Sequence, residues 1–200
     1  MDILTAPIID FAGVTLTRAE AVGFIAALAA LGFAIRRDPL TFPAGMVAHL
    51  VSLVLMAGLG VYLQAAVQAV FILLAAQGWW LWSRHRGPDG RIAVARMGQV
   101  EVVAYIVVPI AAAAPLWFAT GGLSAPMLAG GVAVQLALNF RRVENWLFRI
   151  AVDLLALALF IGYGAWIPVA FHLIFAALSV KGWLDWRRAM VTGASLKSGT

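Results

Sequence analysis

An all-α integral membrane protein with seven transmembrane helices is the fold this sequence predicts, and three observations carry it. Apolar residues make up 64% of the chain with a mean hydropathy of +0.96, they fall into helix-length runs, and the basic residues collect on alternate loops. Charged residues are only 12% of the chain, against about a quarter in soluble domains. No soluble fold could bury so much apolar surface.

The opening segment, residues 1–19, is expected to be extracellular. Met1 to Gly13 carry Asp2 and Asp10 but no basic residue, so they lack the positive start of a cleaved signal peptide. Ile3, Leu4, Ile8, Ile9 and Phe11 suit a short helix on the membrane surface, interrupted at Pro7. Taking about 20 apolar residues per span, the spans read as Glu20 to Ile35, Phe42 to Ala57, Val61 to Trp82, Val100 to Ala119, Leu123 to Phe140, Glu144 to Ile161 and Ala165 to Trp186. The long run from Phe42 to Trp82 is divided at Ala57-Gly58-Leu59-Gly60.

The charges test that count. Arg36 and Arg37 follow the first span, Arg84, Arg86, Arg91 and Arg96 the third, Arg141 and Arg142 the fifth, and Arg187, Arg188 and Lys197 the seventh. The loops around Gly58, Gly121 and Gly162 carry no charge. The bias puts the N-terminus outside and the C-terminus in the cytoplasm. A pI of 10.4 therefore reflects membrane topology, and no nucleic-acid partner is expected. With no cysteine, disulfides, thiolate catalysis and Cys-based metal sites are excluded.

The third and seventh spans end alike, in Gly78-Trp79-Trp80-Leu81-Trp82 and Gly182-Trp183-Leu184-Asp185-Trp186, 104 residues apart. The same offset sets Phe71 on Phe175, Gln68 on His172, Gln77 on Lys181, Tyr62 on Trp166, His49 on Asp153 and Phe42 on Trp146. At an offset of 105, Arg36-Arg37 falls on Arg141-Arg142, a one-residue slip expected in a loop. An aromatic belt alone would also gather tryptophans at a cytoplasmic boundary, but the match extends deep into the spans. Two three-helix units, residues 20–99 and 123–190, joined by a linker helix over 100–122 would lie parallel, with a solute site between them and a tail at 191–200.

Polar side chains in hydrocarbon are costly and normally face the protein interior or a cavity. Gln64, Gln68, Phe71, Ala75, Trp79 and Trp82 share one face of the third span, and Pro168, His172, Phe175, Ser179, Trp183 and Trp186 repeat that face on the seventh. Amides supply donors and acceptors and indoles supply flat surfaces for an aromatic ring or a cation, a pairing suited to a neutral or cationic nucleoside-like solute. Polar residues that only join helices would produce the same stripe. On the sixth span Asn145, Arg149 and Asp153 stand four apart, so Arg149 and Asp153 can neutralise each other. Alternatively, Asp153 holds a ribose hydroxyl or a substrate cation. The candidate substrate-binding residues are Gln64, Gln68, Gln77, Trp79, Trp82, Gln135, Asn139, Asn145, Trp146, Asp153, His172 and Trp183, with His49, Phe71, Arg149, Phe175 and Lys181 as gating or tuning residues.

Arg141-Arg142-Val143-Glu144-Asn145-Trp146, then Asp153 and Gly182-Trp183-Leu184-Asp185-Trp186-Arg187, resembles the PnuC family of bacterial nicotinamide riboside transporters. Phe42-Pro43-Ala44-Gly45 is similar to that family's Trp-Pro-x-Gly, and Tyr62 through Trp82 to its third span. The resemblance covers about residues 30–190. It implies a SWEET-like fold in the bacterial cytoplasmic membrane, a homotrimer, and passive uptake of nicotinamide riboside. Phosphorylation by a cytoplasmic kinase, which need not bind the transporter, would trap the solute. Thiamine, riboflavin and deoxynucleosides are alternative cargoes by the same likeness. Arg149 stands where the family often has a second tryptophan, and Phe42 where it has one; His172 and Lys181 also replace aromatic or neutral residues.

An intramembrane enzyme is the main competing class, yet the sequence has no Gly-x-Ser-x-Gly, His-Glu-x-x-His or phosphate-binding loop, and His49, His85 and His172 lie on separate elements. A non-transporting assembly subunit is another alternative. No catalytic residue, cofactor or metal ligand is expected.

Overall fold

The computed structural model describes residues 6–11, 14–87, 89–120 and 124–198, with side chains over the same residues except 9–14, 116–124 and 192–198. Ile3, Leu4 and the loop at Gly121 lie outside the described residues, as does the side chain of Lys197. Two short strands, β1 (Pro7–Phe11) and β2 (Val14–Thr17), precede seven helices: α1 (Arg18–Ile35), α2 (Thr41–Gly58), α3 (Tyr62–Ser83), α4 (Gln99–Thr120), α5 (Ser124–Asn139), α6 (Asn145–Gly162) and α7 (Trp166–Ser198).

The expected N-terminal surface helix is instead an antiparallel pair in which Pro7 faces Thr17 and Asp10 faces Thr15. Ile8, Ile9, Val14, Thr15 and Thr17 are β-branched and favour extended backbone. The chain turns into α1 through a capping box: Thr17 N–H donates to Glu20 Oε2 at 2.8 Å and Glu20 N–H to Thr17 Oγ1 at 3.3 Å.

Five helices, α1, α2, α3, α6 and α7, are long and apolar enough to cross a membrane; over the described residues Gln99–Pro115 and Ala125–Asn139 are shorter apolar helices. The expected spans agree with the observed helices to within a few residues, except that α7 continues from Trp186 to Ser198. Within the last turns of its apolar stretch Lys181 pairs with Asp185, and Arg188 with Asp185 at 3.6 Å.

The two halves of the chain share several backbone features. α1 and α5 both end on an arginine in the left-handed region, Arg37 at φ 61° and Arg141 at φ 62°, a closure normally left to glycine. Arg37 N–H donates to Ala34 and Asp38 N–H to Phe33, both at 2.9 Å; Arg141 N–H donates to Leu138 at 2.9 Å and Arg142 N–H to Ala137 at 2.8 Å. These matched caps correct the expected slip: Arg37 corresponds to Arg141, an unbroken offset of 104. α2 and α6 are both 18 residues long, and each is followed by a glycine at positive φ, Gly60 at 74° and Gly164 at 66°.

Within the first half α2 packs on α1 and α3; within the second α6 packs on α5 and α7; across the halves α3 meets α5 and α1 meets α7. α4 packs on α5 through small residues, Ala113 against Ala125 and Ala129. Gly131 leaves the space that the Phe71 ring fills, and Gly130 the space for Val152.

A core of Leu31, Ala34, Phe42, Ala75, Trp82, Ile92, Val143, Trp146 and Trp186 closes one end of the bundle. The basic loops gather at that end. Ile92 N–H donates to Arg37 O at 3.3 Å, Ala95 N–H to Arg141 O at 3.1 Å and Val143 N–H to Ala95 O at 3.0 Å. Arg142 Nε meets Glu101 Oε1 at 2.6 Å, and Met97 N–H donates to Glu144 Oε2 at 2.9 Å. In this layer burial, reinforced by Arg91, lowers the Arg37 pKa, with Asp89 acting in the opposite sense.

Candidate functional site

Two cavities lie between the helices and share Ala27, Ala48 and His49. The outer one, about 410 Å³, is bounded by Thr15, Leu16 and Glu20 next to the hairpin and by Phe24, Gln68, Phe171 and Phe175. The inner one, about 160 Å³, is lined by Thr41, Gln135, Asn145, Trp146 and Arg149, and it borders the core through Leu31, Ala34, Phe42, Ala75 and Trp146. The outer volume falls in the range of small-molecule pockets, roughly 300–1,000 Å³. The inner one is smaller.

At the junction His49 Nδ1 lies 2.8 Å from Gln68 Oε1, with Phe71 stacked on the imidazole at 5.1 Å between centroids and 8° between planes. An amide oxygen only accepts, so His49 carries a proton on Nδ1 in this arrangement. In the second half His172 Nδ1 lies 2.9 Å from Asp153 Oδ1. Adding 104 to His49 and Gln68 gives Asp153 and His172: each half holds a polar pair between the same two helices, with the imidazole on opposite partners.

Arg149 and Asp153 are paired as expected, Nε to Oδ2, though at 3.9 Å. That is too long for a hydrogen bond, and both atoms are buried without a hydrogen-bond partner, as is Trp146 Nε1. Arg149 also lies over the Phe175 ring, 5.2 Å from its centroid. Asp153 is only 4% exposed at its side chain and lines neither of these cavities.

Of the sequence-stated candidates, the cavities bring together Gln68, Gln135, Asn145, Trp146, His49, Arg149 and Phe175. Others stand elsewhere. Trp82 is fully buried, and its indole donates to the carbonyls of Leu138 at 3.2 Å and Asn139 at 3.1 Å. Asn139 is equally buried, donating to Leu74 O at 2.8 Å and Gln77 Oε1 at 3.1 Å and accepting from Gln135 at 2.9 Å; it joins α5 to α3. Gln64, Gln77 and Trp79 are exposed, because Ala65, Gly78 and Trp82 take the inward positions on α3 and turn their neighbours outward. Trp183 packs beside the core under Arg187. Lys181 is exposed and paired with Asp185 on its own helix. None of these lines either cavity.

Sequence reasoning missed Thr41, whose hydroxyl donates to Ala30 O at 2.8 Å at the wall of the inner cavity. It also missed the outer aromatic wall, where Phe24 and Phe171 stack at 3.7 Å with 12° between planes. Phe24 belongs to α1 and Phe171 to α7, so only the pairing of those helices reveals the wall.

Cavities that are mostly apolar, carry a few polar side chains and meet inside an apolar helical bundle suit a small-solute carrier of the membrane. Residues 17–188 match the family described as nicotinamide mononucleotide transporter, and the chain belongs to that family; it is a membrane transporter and not an enzyme. Its structure is similar to one described as the crystal structure of the Vitamin B3 transporter PnuC, with a TM-score of 0.72 and 15% identity over 87% of this chain and 82% of that one. At that identity the likeness shows the shared fold. No curated protein is significantly similar in sequence.

Proposed function

We propose that the chain carries a nucleoside-like vitamin or nucleoside down its gradient into the cell, with nicotinamide riboside as the reference solute and deoxynucleosides, thiamine and riboflavin in the same class. The observation that carries this reading is the pair of cavities meeting at His49, with phenylalanines on the outer wall and amides, an indole and a guanidinium on the inner. Rings stack on the first set, and hydroxyls and carbonyls hydrogen-bond to the second. Gln68, Gln135, Asn145, Trp146 and His49 are the contact residues of this reading, with Asp153 and His172 setting the position of Arg149. Phosphorylation by a cytoplasmic kinase would trap the solute without the kinase binding the transporter.

All seven helices span the membrane in this reading, as parallel three-helix repeats over residues 20–99 and 123–190 about the linker at 100–122, in the SWEET-like arrangement. The constant offset of 104 between matched caps and turns supports it. The gathered basic loops support a cytoplasmic C-terminus and an external N-terminus, in a bacterial cytoplasmic membrane. The apolar outer face of α4, with Val100, Val103 and Val108 exposed, is available to lipid or to the other copies of a trimer.

Transport is passive in this reading, and His49, Asp153 and His172 are the groups that a coupling proton would use instead. Labelled nicotinamide riboside should equilibrate into proteoliposomes without ATP or an imposed gradient. Accumulation of unmodified solute driven by a proton or sodium gradient would overturn passivity, and chemical conversion of the solute would overturn transport as the function.

A further inference from the structure

We infer that Glu20 is a charge filter at the mouth of the outer cavity, favouring solutes whose ring carries a positive charge and turning that ring toward the hairpin. The inference rests on the transport reading above and narrows its substrate class. Glu20 is the one carboxylate among the described residues that line the outer cavity, and no lysine or arginine lines it. Asp153, the carboxylate that the sequence offered for a substrate cation, lines neither cavity. Arg18 stands two residues before Glu20, but residues so spaced point to different sides of a helix, and Arg18 is exposed and outside the lining.

The placement follows from α1. Glu20, Gly23, Phe24 and Ala27 recur at spacings of three and four, so they share a face, and all four line the cavity. The exposed carboxylate therefore stands one turn nearer the hairpin than Phe24, whose ring stacks on Phe171. Capping holds it there: Glu20 Oε2 accepts from Thr17 N–H and from Thr17 Oγ1, both at 2.8 Å. Both donors are neutral, so the capping bonds leave the negative charge in place. A flat aromatic ring suits the phenylalanine wall, and the carboxylate decides which charge that ring should carry. At the far end, past the shared residue His49, the inner cavity presents Arg149. Charge thus runs from negative at the hairpin to positive inside, which orients a cationic solute with its ring outward and its uncharged hydroxyls toward His49 and Gln68.

The size of the effect follows from Coulomb's law. A unit cation about 6 Å from an exposed carboxylate, at an effective dielectric of roughly 40 between those of a protein surface and bulk water, is favoured about tenfold without salt. The Debye length is about 30 Å at about 0.01 M salt and about 8 Å at about 0.15 M, so screening lowers the preference to about sixfold and about threefold respectively.

Nicotinamide riboside and its dihydro form test this, because they share the sugar and amide and differ in ring charge, one a pyridinium cation and the other neutral. Their KM values for uptake are compared in proteoliposomes holding the full chain, at about 0.01 M and about 0.15 M salt. In the wild type the advantage of the cation should narrow about twofold from the lower salt to the higher. Glu20→Gln removes the charge and keeps the capping box, which accepts glutamine at that position; the melting transition verifies its fold. It should raise the KM of the cation relative to that of the neutral form about sixfold at the lower salt and about threefold at the higher. Glu20→Asp, which keeps the charge, should hold the ratio within about twofold of the wild type. A ratio unmoved by Glu20→Gln or by salt, or KM values that rise equally for both solutes as a purely structural role would make them, would overturn the inference. If the wild type takes up neither solute, the transport reading itself fails; if it takes up both with a ratio indifferent to Glu20, only the charge filter does.

Discussion

Trp186 donates its indole hydrogen to the backbone carbonyl of Ala34 at 3.0 Å, across 152 residues of sequence. Adding 104 to Trp82 and Ala34 gives Trp186 and Leu138, and Trp82 donates to Leu138 O at 3.2 Å. One hydrogen bond is thus drawn twice, each time from the third helix of one half to the first helix of the other. Both sit in the core that closes the inner cavity.

Trp186→Phe and Trp82→Phe should therefore destabilise the protein by similar amounts. Trp186→Phe leaves Ala34 O one acceptor bond short and Trp82→Phe removes the donor that Leu138 O and Asn139 O share, each at a cost of about 1–3 kcal/mol, read as a lower melting temperature in detergent. A large loss for one and none for the other would show that the two halves do not share this joint equally.

Gly78 and Gly182 are the second symmetric element. A Cβ at Gly78 would collide with Phe42 and Asn139, and one at Gly182 with Trp146. Phe42 and Trp146 also take edge-on positions against Trp82 and Trp186, at 89° and 88°. Alanine at either glycine should cost about 1–3 kcal/mol or more through overpacking. Gly32→Ala, with nothing within 4 Å, should be neutral or stabilising by up to about 1 kcal/mol through helix propensity. Melting of the three variants checks the contrast.

Asp153→Asn strands the Arg149 charge inside the bundle. Breaking a buried pair costs about 3–5 kcal/mol. The Arg149 side chain is 30% exposed, which moves the expected loss to about 3 kcal/mol or less. The double change with Arg149→Gln should recover much of it in a denaturation series. A double variant less stable than Asp153→Asn alone would contradict the pairing.

Ile92 comes from the loop between α3 and α4 and is fully buried in the tryptophan core. Ile92→Ala should cost about 2–5 kcal/mol and loosen the stitching of that loop to Arg37 and Arg141. Faster amide hydrogen exchange at Ala95 and Val143, whose N–H groups bond Arg141 O and Ala95 O, is the expected signature. Unchanged exchange would mean that the loop is held by its ion pairs alone.

Much of this was legible in the sequence, because hydrophobic run length and loop charge act on the chain locally. The helices and the gathering of basic loops were readable from residue order. The Arg149–Asp153 pair followed from spacing alone, since four residues bring side chains onto one helix face. The site was less legible. Period counting put Gln64, Trp79 and Trp183 on the inward stripe, but which edge of a broad apolar face is covered depends on how helices from the two halves meet. Trp82 has the residue type of a solute surface, but its N–H is spent on the carbonyls of Leu138 and Asn139, a partner choice that only the packing of α3 on α5 reveals. The N-terminal pair was missed because its apolar content was read as helical, although its β-branched residues favour strand.

The chain has no cysteine, so single cysteines can be placed without background, and Ala48, which lines both cavities, is the decisive position. Ala48→Cys in reconstituted protein should react with a membrane-impermeant thiol reagent, and nicotinamide riboside should slow that reaction severalfold. Leu73→Cys, on a face 70% exposed and turned to lipid, should stay unreactive. An inert Ala48→Cys, or one that reacts at the same rate with and without the solute, would contradict a solute path through these two cavities.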